Sequence, residues 1–213
     1  MKKNYKSTVN ACFAGYVVQA IVNNFVPLLF LTFNKSYGIE LSKITALITV
    51  NFILQLCIDL LSAFFIDKIG YRAAAIMAHV FAAAGLVSLT VLPEILPSPF
   101  VGLLISVMLY AVGGGLLEVI VSPIVEACPT DNKEKMMSLL HSFYCWGSVA
   151  VVGISTLYFS IFTTANWKYL ALIWAVVPIV NALNFIRVPI APLIEEGETG
   201  LSFKQLIGNR MFW

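Results

Sequence analysis

Between Phe100 and Cys128 the chain reads FVGLLISVMLYAVGGGLLEVIVSPIVEAC. A helix of about 20 apolar residues crosses ~30 Å of hydrocarbon, and this run is long enough to do so. It is not a plain anchor, because Glu118 and Glu126 lie within it. Gly113, Gly114 and Gly115 strip side chains from its middle, and Pro123 interrupts its hydrogen-bond ladder. Carboxylates are costly in lipid, so such a helix turns them toward a bundle interior or a water-filled cavity. The stretch therefore implies companion helices and polar groups among them.

The composition supplies those companions. The chain has 213 residues, of which 60% are hydrophobic and 11% charged. A soluble domain carries about 25% charged residues, and the mean hydropathy here is +0.90. This is an all-α, polytopic membrane protein with little soluble mass. The basic start (Lys2, Lys3, Lys6) leads into a full-length apolar span and not into a short signal-peptide core. A net charge of +2 says little about partners, and no basic cluster is large enough to suggest nucleic acid. Cys12, Cys57, Cys128 and Cys145 form no CxxC pair and read as buried free thiols. No P-loop, GxSxG, HExxH or dinucleotide fingerprint is present, two histidines do not make a metal site, and no cofactor is implied.

Taken in order, span 1 covers about Val9–Phe33, with Gln19, Asn23, Asn24 and Pro27, and a polar loop follows over Asn34–Lys43. Span 2, about Ile44–Ile66, carries Asn51, Gln55 and Asp59 at every fourth residue, which is one polar flank on an apolar helix. The tight Asp67–Arg72 turn predicts that spans 2 and 3 are antiparallel neighbours. Span 3, about Ala73–Leu92, is rich in Ala and Gly, suits close packing, and holds His79. Pro93–Pro99 reads as a rigid loop. Span 4 is the opening stretch. After Pro129–Lys135, where Thr130 or Asp131 suits a helix cap, span 5 covers about Met136–Phe162 with His141, Tyr144 and Trp146. Span 6 covers about Trp167–Val188 and contains Asn181 and Asn184.

Residues 1–188 thus form a six-helix unit, and residues 189–213 form a cytoplasmic linker with the start of a further helix. With the N-terminus inside, the inner segments hold Lys2, Lys3, Lys6, Lys68, Arg72, Lys133, Lys135, Arg187, Lys204 and Arg210, against Lys35, Lys43 and Lys168 outside. This bias places both termini in the cytoplasm of a multi-pass cell-membrane protein.

Three acids fall within apolar spans: Asp59, Glu118 and Glu126. Each is a candidate for proton coupling, Glu118 foremost because it lies nearest mid-span. Glu118 and Glu126 are about 80° apart around the helix and ~12 Å apart along it, so they are not a catalytic dyad. Gln19, Asn23, Asn51 and Gln55 are uncharged hydrogen-bonding groups at depths that suit a hydroxylated solute, or else interhelical glue. His141, Tyr144 and Trp146 add an imidazole and aromatic faces on which a ring can stack. His79, beside small residues, reads as a satisfied packing histidine, and Asn181 and Asn184 read as glue.

The run Ala63-x-x-x-Asp67-Lys68-x-Gly70-Tyr71-Arg72 resembles the signature loop of the major facilitator superfamily, with Ala63 where that motif usually begins with Gly. The sequences GGGLLE, PxVE and LLHSFYCWG in spans 4 and 5 are similar to the fucose-permease-like branch of sugar transporters. Many members of that branch have Asn where Glu118 stands. The resemblance implies a transporter of twelve spans in two six-span halves, of which this chain supplies the N-terminal one and lacks the other. It implies alternating access, a sugar or other small polar solute, possible coupling to protons, and a gating role for Asp67, Lys68, Gly70 and Arg72. Two other classes compete: a non-transporting structural or assembly protein, and a membrane-embedded lipid-modifying enzyme. A second copy of the chain is an alternative to the missing half.

Overall fold

The computed structural model describes residues 5–193. Within them lie six helices long and apolar enough to cross a membrane. The first is in two pieces. Helix α1 (Lys6–Asn24) is followed by a 3-10 turn over Val26–Leu29 and then by α2 (Phe30–Tyr37), which ends on Gly38 at φ 64°. Pro27 explains the break: it has no N–H to give the Asn23 carbonyl, which a continuous helix would require. The other spans are α3 (Leu41–Ile69), α4 (Tyr71–Ile95), α5 (Pro99–Ala127), α6 (Lys133–Phe162) and α7 (Trp167–Arg187). The architecture is all-α, six spans forming half of a twelve-helix fold.

The polar segments between spans are shorter than the sequence suggested. Asn34–Tyr37 and Leu41–Lys43 are helical, so the first loop shrinks to residues 38–40. Helix α4 runs through Pro93, which is buried, and the expected rigid loop contracts to residues 96–98. A proline near a helix end forfeits one bond and still packs, which is why its presence did not stop the helix. The cap of α6 is Asn132, whose side chain accepts from the Lys135 N–H at 2.8 Å, and neither Thr130 nor Asp131 takes that role.

Helix α5 sits at the centre. In the most apolar stretch of α5 and in that of the first span, 61% of residues are buried, against 22% for α3 and 17% for α6. The glycine triplet explains the position of α5. A Cβ on Gly113 would lie 2.5 Å from the Ala78 carbonyl oxygen on α4; on Gly114, 3.1 Å from Gln55 Nε2 and Val22 Cγ1; on Gly115, 3.0 Å from the Gln55 carbonyl oxygen and Ile58 Cβ. Three consecutive residues turn to different sides of a helix, so the triplet lets α4, α3 and α1 all approach the α5 backbone. Helices α3 and α4 touch little despite their tight connection, because each packs instead on α5. The expectation of packed neighbours failed because a short turn fixes where two helices meet but not whether they stay together.

Helix α4 packs against α5 and α7. Its alanines Ala74, Ala75, Ala78 and Ala82 are buried, and His79 sits among them. Asn181 of α7 donates to the Ala11 carbonyl of α1 at 2.9 Å and lies 2.7 Å from His79 Nε2, while His79 Nδ1 is 2.7 Å from the Ala75 carbonyl. With Nδ1–H donating to that carbonyl, Nε2 accepts from Asn181, so a neutral ring satisfies every partner. His79 and Asn181 are interhelical glue, as their sequence context implied. Asn184 donates to Asn181 Oδ1 at 3.4 Å and supports the same joint.

Candidate functional site

Helices α1, α3, α5 and α6 enclose a cleft of about 460 Å³, open on one side, lined by Tyr16, Gln19, Asn23, Phe52, Gln55, Glu118, His141, Tyr144 and Cys145. These are the helices that carried the polar pattern in the sequence. Each contributes through helical spacing. Tyr16, Gln19 and Asn23 are three and four apart on α1, Phe52 and Gln55 three apart on α3, and His141 and Tyr144 three apart on α6, so each set faces one way.

Asn23 is the hub. Its Oδ1 accepts from Gln55 Nε2 at 2.8 Å and from Asn51 Nδ2 at 3.2 Å, and its Nδ2 donates to the Tyr144 hydroxyl at 3.4 Å. Gln55 Nε2 also donates to Asn51 Oδ1 at 2.9 Å. Asn51 is buried behind Gln55 and does not line the cleft. Asn24, next to the hub, donates to Ser148 Oγ at 3.1 Å, and Ser148 donates to the Tyr144 carbonyl at 3.0 Å, which fastens α1 to α6 beside the cleft.

Glu118 is exposed on the open side of the cleft, where Gln19 Nε2 donates to its Oε2 at 3.1 Å. Asp59, on α3, has its Oδ1 buried without a hydrogen-bond partner among the described residues. Glu126 is apart from this group. It is exposed, and Lys133 Nζ lies 3.6 Å from its Oε1. An ion pair that exposed is worth about 0–1 kcal/mol.

Trp146 also lies outside the cleft. It is 58% exposed and tilts against Phe143 at 5.4 Å. Of the aromatic residues on α6, His141 and Tyr144 face the site.

The sequence reading missed Tyr16. Its hydroxyl pairs with Ser122 Oγ of α5 at 2.9 Å, and its ring centroid is 5.6 Å from His141 and 6.3 Å from Tyr144. The signal was available, since Tyr16 precedes Gln19 by three residues and Asn23 by seven. Phe52, three residues before Gln55, was legible in the same way. Two of the four thiols overturn the buried reading: Cys57 and Cys145 are exposed, and Cys145 reaches the cleft because it follows Tyr144 on α6.

The signature loop divides between two roles. Asp67 and Lys68 are exposed, Asp67 beside Tyr71. Gly70, at φ 82° and ψ 147°, makes the turn between α3 and α4 in a backbone conformation that side-chain-bearing residues rarely adopt. Arg72 turns away from the loop and binds the end of α7, with Nη1 2.6 Å from the Phe185 carbonyl oxygen and 2.9 Å from that of Ile186, and Nη2 2.8 Å from that of Val188.

At the other end of the bundle Glu94 Oε1 accepts from Tyr37 at 2.7 Å and from Lys168 at 2.6 Å, which ties α2, α4 and α7 together.

Six bilayer-length helices around a polar, one-sided cleft define half of a membrane-carrier fold. The description of the Major Facilitator Superfamily fits residues 11–213, and the chain belongs to that superfamily. Membership in that superfamily speaks against the lipid-modifying-enzyme reading. No curated protein sequence matches the chain. Among solved structures it is similar to the inward-open xylose transporter XylE from E. coli, with TM-score 0.78 and 15% identity over 89% of this chain and 49% of that one. It is similar to a D-xylose-proton symporter, with TM-score 0.76 and 15% identity over 87% of this chain and 48% of that one. It is also similar to a POT family transporter in complex with a thioalcohol-conjugated peptide, with TM-score 0.63 and 20% identity over 95% and 41%. The chain spans about half the length of these structures or less, and at such identities the likeness is one of fold.

Proposed function

We propose that this chain is one six-helix half of a secondary transporter that carries a small polar solute, a sugar in the first place, by alternating access. The observation that carries the reading is the cleft: about 460 Å³, within the range of small-molecule sites, with amides, a hydroxyl, an imidazole and a carboxylate converging from four helices. Gln19, Asn23, Gln55 and Tyr144 offer donors and acceptors to hydroxyl groups, and Tyr16, Phe52 and His141 offer ring faces. Folds similar to it include a xylose transporter and a xylose-proton symporter, which supports a sugar. The fucose-permease-like assignment rests on the GGGLLE, PxVE and LLHSFYCWG runs alone.

Glu118, with Asp59 near it, is the candidate for proton coupling. Glu118 lines the cleft and accepts from Gln19, so a proton held there and a solute bound by the amides would meet in one place. Glu126, paired with Lys133 and away from the cleft, is the weaker candidate. Asp67, Lys68 and Gly70 form the inward gate. Both termini lie in the cytoplasm; of the basic residues behind that orientation, Lys2, Lys3, Lys204 and Arg210 lie outside the described residues, as does most of the 189–213 linker. The apolar exposed faces of α3 and α6 take lipid and a second six-helix body, either a C-terminal half or a second copy of this chain.

Proteoliposomes carrying the transporter should take up a labelled neutral sugar under an inward proton gradient. Glu118→Gln should reduce that uptake at least about tenfold, the effect of removing a charge-assisted hydrogen bond, with membrane insertion intact. Uptake unchanged in Glu118→Gln would remove the coupling role. Absence of any sugar binding or uptake would remove the sugar reading.

A further inference from the structure

The chain leaves α7 through Val188-Pro189-Ile190-Ala191-Pro192. Two prolines in four residues prevent the helix from continuing, and they withhold N–H groups as well. The carbonyl that Pro189 would serve in a helix is that of Phe185, four residues earlier. The carbonyls of the last helical turn are short of donors in any case. A buried carbonyl without a donor costs ~1–3 kcal/mol, and here the segment is not in open solvent: Phe185, Val188 and Ala191 are buried.

The missing donors come from two other helices. Arg72, the first-turn arginine of α4, places its guanidinium against the carbonyls of Phe185, Ile186 and Val188. Thr8, fully buried on α1, donates its hydroxyl to the Pro189 carbonyl. A planar fork of N–H groups with a fixed positive charge suits a cluster of carbonyls at the negative end of a helix. Lysine carries its three donors on one nitrogen and cannot span carbonyls that two guanidinium nitrogens reach separately.

We infer that Arg72 and Thr8 are a mooring for the chain that leaves the six-helix unit: they hold residues 188–191 against the inner ends of α4 and α1, so that this segment moves with the bundle. The role of Arg72 is then different from that of Asp67 and Lys68 in the same loop. Those two are exposed and available to another body, whereas Arg72 is engaged within this chain and positions the exit of α7. The inference stands on contacts within the chain and does not depend on the solute.

The test is thiol accessibility in the full chain. In a background with the exposed thiols removed (Cys57→Ser, Cys145→Ser), Ala191→Cys provides one reporter in the moored segment. Labelling by a polar maleimide in unsealed membranes, where both faces meet the reagent, reads how often the segment opens. Labelling should be slow with Arg72 in place. Arg72→Gln should speed it by roughly tenfold or more, as expected when local opening loses a charge-assisted hydrogen bond. Arg72→Lys should resemble Arg72→Gln, and Lys135→Gln, which removes an exposed charge in the first turn of α6, should leave the rate unchanged. Thr8→Val keeps shape, removes only the hydroxyl, and should give a smaller increase; it serves where Arg72 variants do not yield a monodisperse protein. Arg72→Gln or Thr8→Val at the parent rate in folded protein overturns the mooring. So does Arg72→Lys at the parent rate, since charge alone would then suffice.

Discussion

Gly113 on α5 meets the backbone of α4 so closely that the cost of adding one methyl group can be worked out. The Cβ of an alanine there would lie 2.5 Å from the Ala78 carbonyl oxygen and 2.7 Å from the Ala82 nitrogen. Ordinary contact begins at 3.4 Å, so the shortfall is about 0.9 Å against backbone atoms that have no rotamer to adopt. The two helices must part, and α4 carries His79 and its bond to Asn181 with it. Overpacking of this kind costs ~1–3 kcal/mol. For a chain of this size each kcal/mol moves the unfolding midpoint by about 2–4 °C, so Gly113→Ala should lower it by roughly 2–12 °C. The upper half of that range is expected because the obstruction is main chain. Gly153→Ala on α6 is the control, since nothing lies within 4 Å of a Cβ there. It gains the same helix propensity as Gly113→Ala without the clash, so the difference between the two isolates the close approach. The assay is size-exclusion chromatography of detergent-solubilised protein after stepped heating. Equal midpoints for the two variants would refute the reasoning, and with it the account of why α5 is central.

Further outcomes concern the cleft and the joints around it. Tyr16→Phe removes the hydroxyl that meets Ser122 but keeps the ring face, and should lower stability by ~0.5–1.5 kcal/mol, read as a fall in the thermal midpoint with the KM of uptake unchanged. His79→Leu leaves Asn181 without one acceptor in a buried joint and should lower stability by ~1–3 kcal/mol, measured as a fall in the same thermal midpoint. A double-mutant cycle over Glu94→Gln and Lys168→Ala should give a coupling below about 1 kcal/mol that shrinks as salt is added, because both side chains are partly exposed.

The spans were legible because bilayer length and hydropathy are properties of a run and not of its neighbours. Their ends were less so. Helix α4 continues through Pro93, and the cap of α6 is Asn132, because both outcomes depend on what the helix end packs against. The cleft was legible where polar residues recur at helical spacing, Gln19 with Asn23 and His141 with Tyr144, whereas of Asn51 and Gln55, at the same spacing, only Gln55 lines it. Trp146 is carried away from the cleft by rotation about the α6 axis, and Glu126 by its distance of ~12 Å along α5 from Glu118. Tyr16 and Phe52 escaped notice because an aromatic residue in an apolar run looks like core until the face it occupies is traced. Arg72 could not be separated from its loop in the sequence, since its partners are main-chain atoms more than a hundred residues away, and carbonyls leave no mark in a sequence. The weak contact between α3 and α4 was likewise beyond the sequence, because it follows from the claim of a third helix, α5, on both.

The break in the first span has a mechanical consequence. Pro27 withholds the N–H that would hold the Asn23 carbonyl, and Asn23 is also the residue on which Gln55, Asn51 and Tyr144 converge. One residue is therefore both the knot of the amide network and the site of the helical bond that Pro27 cannot make. Beyond it α2 forms a short arm, held at its tip by the Tyr37 hydroxyl on Glu94. A molecule that tugs on the knot pulls at the pivot of this arm with no intervening length of rigid helix, so occupancy of the cleft and the angle of the arm share a single lever.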